Sequence, residues 1–483
     1  MLPEYREYER WSTTVVSAYV TPLIDKYLAN LELGLRAGGS PAAAGKKSSG
    51  LQIMQSNGGS ISAAAARAQA VRTVLSGPAA GVVGARAVAQ AAGFRRIIGF
   101  DMGGTSTDVC LVDDVIATTT DSVIGDFPVR LPMIDIHTVG AGGGSIAAVD
   151  SGGALRVGPQ SAGANPGPAC YGTGELLTVT DANLLLGRLD QEYFLGGRMA
   201  LDAGRAQAAA RRIATQLQLS ISELAEGIIR VANANTERAI RVVSIERGHD
   251  PRDFALLAFG GAGGMHACEI AQRLEIGTII VPRYAGVLSA LGMLFADVTK
   301  DYSASVLRRG DALPFGELTT RLAPMIANAK LELAAEGFAS RNIVIERLID
   351  VRYVGQSYEI TLPCQADYRA KFDELHGRSY GYSNPHRLIE IVNLRVRAHG
   401  VISKPQLPQM RPHRKRAVPL AVKPVRFDGR PIRTAFYRWN DLTAGAHGDG
   451  PAVITGGEAT AVVPPGFKFR LDGFGNLLIT ANQ

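Results

Sequence analysis

Cysteine is scarce: Cys110, Cys170, Cys268 and Cys364 are the only four in 483 residues. They lie far apart, with no CxxC or zinc-type spacing, which excludes a dense disulfide framework and a structural zinc module. Reduced thiols are the simplest account. No uninterrupted apolar run reaches the ~18 residues of a membrane span. The start, Pro3-Glu4-Tyr5-Arg6-Glu7-Tyr8-Glu9-Arg10, mixes both charges and does not read as a signal peptide. A soluble, cytoplasmic protein with no membrane partner is expected. Aromatics are only 6% of residues, and the net charge is +7. The basic residues are scattered except in Arg411-Pro412-His413-Arg414-Lys415-Arg416, a proline-bounded run without interleaved aromatics. It reads as a solvated connector, and no nucleic acid is expected.

Glycine, by contrast, is abundant at 55, and hydrophobic residues are 46%. The length gives a soft count of about three domains. The glycines cluster, which points to tight turns and close ligand approach. The most informative cluster is Phe100-Asp101-Met102-Gly103-Gly104-Thr105-Ser106-Thr107-Asp108-Val109. Apolar runs flank it (Arg95–Phe100 and Val109–Val112), so two strands joined by a Gly-Gly turn form a hairpin. Asp101 ends the first strand. Gly103 and Gly104 let a ligand approach the backbone. Thr105, Ser106 and Thr107 add hydroxyls, and oriented amides in such a turn form an anion-binding concavity. Asp101 and Asp108 are suited to a hydrated divalent cation. A plain Gly-Gly-Thr corner is common, but the two acids and three hydroxyls together favour a ligand turn. The pattern resembles a phosphate loop of the actin-like ATPase superfamily.

Along the chain, apolar residues from Val15 to Leu33 recur at helical spacing, and Gly38–Gly50 reads as a loop. A strand at 51–59 and a helix beginning at Ile61 precede Ser76-Gly77-Pro78, a loop expected to open a helix Val82–Ala92. After the hairpin, His137-Thr138-Val139-Gly140-Ala141-Gly142-Gly143-Gly144-Ser145 reads as a second ligand-approach loop. Thr178-Val179-Thr180-Asp181 ends a strand with an acid. Residues 202–248 read as two helices, with Asn233, Asn235, Glu237 and Arg238 as polar groups mid-helix. The strand Leu256–Phe259 runs into Gly260-Gly261-Ala262-Gly263-Gly264-Met265-His266, and a helix is expected over Cys268–Leu274. This order places amides and a positive helix end at an anion. From about residue 300 the pattern changes: an amphipathic helix at Phe315–Phe338, strands at 343–354, 358–363 and 388–401, then a mostly β end that reads as a separate region.

Five motifs occur in one chain: Leu75–Pro78, Phe100–Val109, His137–Ser145, Gly163-Ala164-Asn165-Pro166-Gly167-Pro168-Ala169-Cys170-Tyr171, and Phe259–Ala267. Together they closely resemble the hydantoinase A / 5-oxoprolinase family over nearly the whole length. The resemblance implies an α/β fold: an actin-like (ribonuclease H-like) ATPase domain over residues 1–300 and a mostly β C-terminal domain over 301–483. It implies ATP-dependent opening of a cyclic amide such as a hydantoin or 5-oxoproline, by phosphorylation of the amide oxygen. A related ketone carboxylase subunit is the alternative, and a non-catalytic fragment is the third reading. A hydantoinase B-type partner subunit is also implied. Family members carry a further N-terminal region with its own Asp-Gly-Gly-Thr loop. This chain has one such loop and opens within the family pattern, short by on the order of 150–200 residues. The ATPase domain is therefore expected to be incomplete, its other half a separate polypeptide or lost by truncation. The chain alone should bind ATP weakly, with an open apolar face prone to associate.

The expected site residues follow. Asp101 and Asp108 are catalytic, acting through Mg²⁺. Gly103, Gly104, Thr105, Ser106 and Thr107, with Gly260, Gly261, Gly263 and Gly264, take the nucleotide, although the second glycine group is equally explained by tight helix–strand packing. His137, Asp181 and His266 would suit a further metal such as Zn²⁺ or Mn²⁺, with His137 and His266 expected to meet in space. A lone histidine is more often structural, and His376, His386, His413 and His447 have no supporting neighbours.

Overall fold

The computed structural model describes residues 3–37 and 50–482. The loop expected over Gly38–Gly50 falls, but for Gly50, outside the described residues. The chain divides into two compact units, each built from three segments. The first comprises Met1–Ala80, Thr118–Ile134 and Met293–Pro405, and the second Gly81–Ala117, Asp135–Gly292 and Gln406–Gln483. The compact units thus interleave along the chain rather than meeting at one cut near residue 300.

The second unit is organised by a ten-stranded mixed sheet. Its middle holds three parallel strands, Arg96–Met102, Ala255–Phe259 and Thr278–Val281. All five residues of Ala255–Phe259 are buried, as expected for a central strand covered on both faces. The hairpin Arg96–Met102/Thr107–Asp113 is antiparallel, as its sequence predicts. Ile136–Val139 pairs with the outer side of Thr107–Asp113. On the other side, Leu477–Ala481 adds antiparallel to Thr278–Val281, followed by Phe467–Leu471. The C-terminal strands are therefore not a separate region: they complete this sheet. Alternating hydrophobicity marks them as strands but does not say which exposed edge they satisfy.

Helices start where local chemistry allows. Ser220 caps Ile221–Val243 and Thr178 caps Val179–Leu185, each through a reciprocal capping box with Glu223 or Asp181. Two starts come earlier than the sequence predicts. The helix Ser76–Ala91 takes in Ser76-Gly77-Pro78, because a proline in the first turn has no amide partner to lose. The helix Gly260–Arg273 takes in the whole glycine run, because burial of the surrounding backbone overrides glycine's poor helix propensity.

The first unit has a six-stranded sheet. Its long strands are Val298–Arg309, Ile343–Tyr353 and Ile389–Gly400. The helix Phe315–Ala335 covers it with Leu318, Leu322, Ala329 and Leu333, all buried. The 31-residue helix Glu7–Ala37 buries only Thr13, Ser17 and Leu28. Among the described residues no helix is long and apolar enough to cross a membrane.

Candidate functional site

Asp101 and Asp108 stand directly opposite each other in the hairpin register. Opposed residues of an antiparallel pair project to the same face, so two carboxylates share one small space. Burial pushes the Asp101 carboxyl up to about 7, and the charge of Asp108 adds to the rise. Burial also raises Asp108, opposed by the Thr138 hydroxyl, which donates to its Oδ1 at 2.6 Å. No cation is among the groups that shift either carboxyl. A half-buried carboxylate pair without a counterion is the donor chemistry that a hard divalent cation satisfies.

The turn that follows is held from behind. Gly103 donates to the Ser106 carbonyl at 3.1 Å. The segment Ala141–Ser145 then docks on it: Gly143 N–H donates to Gly103 O at 2.9 Å and Gly144 N–H to Gly104 O at 2.6 Å. A Cβ at Gly142 would stand 2.8 Å from the carbonyl of Gly104 and from the Ser106 nitrogen, so this approach requires glycine. The Thr180 hydroxyl donates to Gly143 O at 2.8 Å, and the buried Thr107 hydroxyl donates to Ala141 O. All of Ala141–Ser145 is buried, while Gly104 and Thr105 are exposed. The second glycine loop, expected to approach a ligand itself, is thus a clamp that fixes the exposed turn, because its glycines are spent on backbone-to-backbone contact.

Asp101 also lies beside Phe259, the last residue of the neighbouring parallel strand. The helix Gly260–Arg273 begins at the next residue. Gly260 has φ of +75°, and a Cβ there would collide with Asp101 Oδ1 and the Met102 carbonyl. The first amides of a helix lack partners within it and carry the positive end of its dipole. The carboxylate pair, the exposed turn and this helix start therefore form one locality at the C-terminal ends of parallel strands. The glycine run divides by role: Gly260 clears Asp101, Gly261 is exposed, and Gly263 and Gly264 pack. A Cβ at Gly264 would stand 2.7 Å from Thr460 O.

The expected histidine–carboxylate metal set does not form. Asp181 is fully buried, and its two oxygens accept from the amides of Ala169, Cys170 and Thr178 and from the Thr178 hydroxyl. It is the N3 acid of a capping box, not a strand-end ligand. His266 is buried within its helix, its Nδ1 2.7 Å from Asn233 Oδ1 and its Nε2 3.4 Å from Asn183 Nδ2. Burial, with the charge of Arg188, lowers its pKa to about 3, so the ring is neutral. His137 sits in the strand Ile136–Val139, opposite Val109. Among the described residues no group of three His, Cys, Asp or Glu side chains is placed for a metal ion. The expected pairing of His137 with His266 gains no shared hydrogen bond or ring contact.

Sequence reasoning missed the network around His266. Asn233 bridges His266 and Glu269, donating to Glu269 Oε2 at 2.7 Å, and Arg188 pairs with Glu269 Oε1 at 2.8 Å. The mid-helix Asn233 was the available signal, but its partners His266 and Glu269 come from the helix Gly260–Arg273, more than 30 residues later. Thr138 and Thr180 also gave no sign of their roles toward Asp108 and Gly143.

A mixed α/β unit with a carboxylate pair between a clamped glycine turn and a helix start is the class of protein these observations define. The family profile for hydantoinase/oxoprolinase matches residues 10–302, and the profile for its C-terminal domain matches residues 316–479. The chain belongs to the hydantoinase/oxoprolinase family. It is 35% identical to the caprolactamase subunit alpha of Pseudomonas jessenii, covering 98% of this chain and 70% of that one. A crystal structure of the ATP-dependent caprolactamase from that organism matches with a TM-score of 0.87 over 100% of this chain and 72% of the other, at 34% identity. The 5-oxoprolinase 1 of Arabidopsis thaliana is 34% identical over 99% of this chain, which spans 39% of that protein. A nucleotide-free acetone carboxylase structure matches with a TM-score of 0.80 at 26% identity, over 99% of this chain and 70% of that chain.

Proposed function

We propose that this chain is the ATP-using subunit of a hydrolase that opens a cyclic amide, and that its second unit is one half of an actin-like ATPase cleft. The observation that carries this reading is the half-buried, counterion-free pair Asp101–Asp108 beside an exposed glycine turn and a helix start. ATP phosphates would lie over Gly103, Gly104, Thr105, Ser106 and Thr107 and before Gly260 and Gly261. Asp101 and Asp108 would hold the waters of Mg²⁺, whose charge offsets that of the phosphates. Transfer of the γ-phosphoryl group to the amide oxygen would release ADP and leave an O-phosphorylated imidate; water adds to its carbon, the C–N bond breaks to give the amine and an acyl phosphate, and a second water releases phosphate and the carboxylate. Cyclic-amide chemistry is supported by the named activities of the caprolactamase and 5-oxoprolinase relatives. A second subunit is supported by the caprolactamase relative's being a subunit alpha, and we propose that this partner is of hydantoinase B type. The acetone carboxylase likeness favours one second reading, in which the phosphorylated oxygen is that of an enolate or bicarbonate.

The test is steady-state ATP turnover by the chain reconstituted with its partner, supplied with 5-oxoproline, a lactam, a hydantoin or acetone plus bicarbonate. Amide-dependent ATP turnover that is lost in Asp101→Asn is expected. Full turnover in that variant would overturn the site assignment, and stimulation by acetone and bicarbonate alone would select the carboxylase.

A further inference from the structure

The strand registers place Asp101, Asp108 and Thr138 in one row across three neighbouring antiparallel strands. Residues directly opposed in such pairs project to the same face. A hydroxyl therefore stands on one side of Asp108 and a second acid on the other. Thr138 Oγ1 donates to Asp108 Oδ1 at 2.6 Å, within the range of about 2.5–2.7 Å for a hydroxyl on a carboxylate. Asp101 is held differently. Burial and the charge of Asp108 act on it, and among the described residues no hydroxyl or amide donates to its carboxylate.

Thr138 is placed to impose an orientation rather than to follow one. Its side chain is β-branched and has few rotamers. Its strand, Ile136–Val139, is fixed along its length by the ladder to residues 107–110. At its end the chain runs into the clamp: Ala141 N–H donates to Val139 O at 2.8 Å, and a Cβ at Gly140 would stand 2.8 Å from Pro159 Cβ. A carboxylate, by contrast, turns easily about its last torsion, and one hydrogen bond at Oδ1 sets that plane. We propose that Thr138 is a positioning residue of the Asp101–Asp108 pair. By holding Oδ1 it fixes the plane of the Asp108 carboxylate and leaves Oδ2 as that residue's oxygen for a divalent cation, while Asp101 is left to adjust. The inference rests on the reading that this pair holds Mg²⁺.

A threonine that only fills its place in a strand would act through folding. Here it can contribute little in that way. Thr138 is exposed, so water can replace either partner of the bond, and valine is equally β-branched and suits a strand. A side chain that holds a metal-binding group acts instead on the ion, and its loss costs about 10–100-fold in metal affinity. Folding and cation affinity therefore separate the two roles.

Thermal melting of the full chain against MgCl₂ concentration, at pH 8 and constant ionic strength, reads both. In Thr138→Val the Mg²⁺ needed for a given rise in Tm should increase about 10–100-fold, while the metal-free Tm stays within about 3 °C of wild type. Thr138→Ser keeps the hydroxyl and should recover most of the response. Asp101→Asn, the control, should lose it. A Thr138→Val chain that needs no more Mg²⁺ than wild type, while Asp101→Asn has lost the response, would overturn the inference and leave the site reading standing. So would a Thr138→Ser chain as impaired as Thr138→Val, because the hydroxyl would then not be the group that matters. A wild-type chain whose Tm does not rise with Mg²⁺, or an Asp101→Asn chain that responds as wild type does, would overturn the site reading and this inference with it.

Discussion

Two sets of carboxylates in this molecule, one buried and one half-buried, are matched in opposite ways. In the first unit, Asp350 is fully buried but accepts from Arg395 at 2.8–2.9 Å and from Asn393 at 2.7 Å. Arg395 continues to Glu4 at 2.7 Å, and Glu4 to Arg130, which also pairs with Glu359. Burial pushes Asp350 up, yet Arg395 outweighs it and holds the carboxyl below its usual range. In the second unit, Asp101 is also pushed up by burial, but its neighbour is another acid, and it rises to about 7. The first set is closed, each charge matched within the chain. The second is open, and only something outside the chain can match it. Completed networks hold a fold together. A half-buried charge pair left unmatched marks where a ligand is needed.

The largest effect should come from opening the closed set. Arg395→Met would leave Asp350 and Glu4 buried without their shared cation, and removing one partner of a buried pair costs about 3–5 kcal/mol. Denaturant unfolding reads this, and a loss under 1 kcal/mol would mean that water reaches the network. Neutralising the open set should do the reverse. Asp101→Asn is expected to cut ATP turnover of the assembled enzyme by about a hundredfold or more, yet to stabilise the free chain at pH 8 by roughly 2–4 kcal/mol. The sign follows from linkage. The folded pKa of Asp101, about 7, lies above the ordinary value of about 3.9. The folded state therefore keeps a proton that the unfolded chain has released. Stability is full below about pH 4 and falls as pH rises through 7. Asp350 has the opposite sign: its contribution is present above the ordinary carboxyl value and is lost as pH falls through its lowered folded pKa. Protection from hydrogen exchange, taken relative to the intrinsic rate at each pH, should accordingly fall in Arg96–Met102 toward pH 8 and in Ile389–Gly400 toward pH 3. The reverse pattern would break the contrast.

Mg²⁺ should close the open set. At a hundred times its dissociation constant the ion would add about 2.7 kcal/mol at pH 8, visible as a rise in Tm that Asp101→Asn lacks. An equal rise in both proteins would place the ion elsewhere. The smallest expected effect belongs to the backbone that seats the pair. Gly260→Ala forces a side chain onto a residue with φ of +75° and against Asp101, a cost of about 1–3 kcal/mol. Gly261→Ala, at an exposed neighbour, should be within about 0.5 kcal/mol of wild type.

Much of this was legible in the chain itself. Local chemistry determined the hairpin around Gly103-Gly104, the long helix Glu7–Ala37, and the strands at 343–353 and 389–400. Each follows from turn residues or from a hydrophobic period that acts over a few neighbours. The order of glycine motifs also determined the family. What only the tertiary structure decided was which of these residues meet. Asp181 reads as a strand-end acid until Thr178 turns it into a cap. Gly142–Gly144 read as a ligand loop until the turn at 103–106 takes up the amides of Gly143 and Gly144 and the space beside Gly142. His266 reads as a metal ligand until Asn233, 33 residues away, takes its Nδ1. Burial creates these roles: it removes water as the default partner, and each polar group must then bond to whatever the fold brings near it. The residues that the fold left unmatched, Asp101 and Asp108, are those the sequence had already singled out, because a turn that carries charge without a local partner is visible before folding begins.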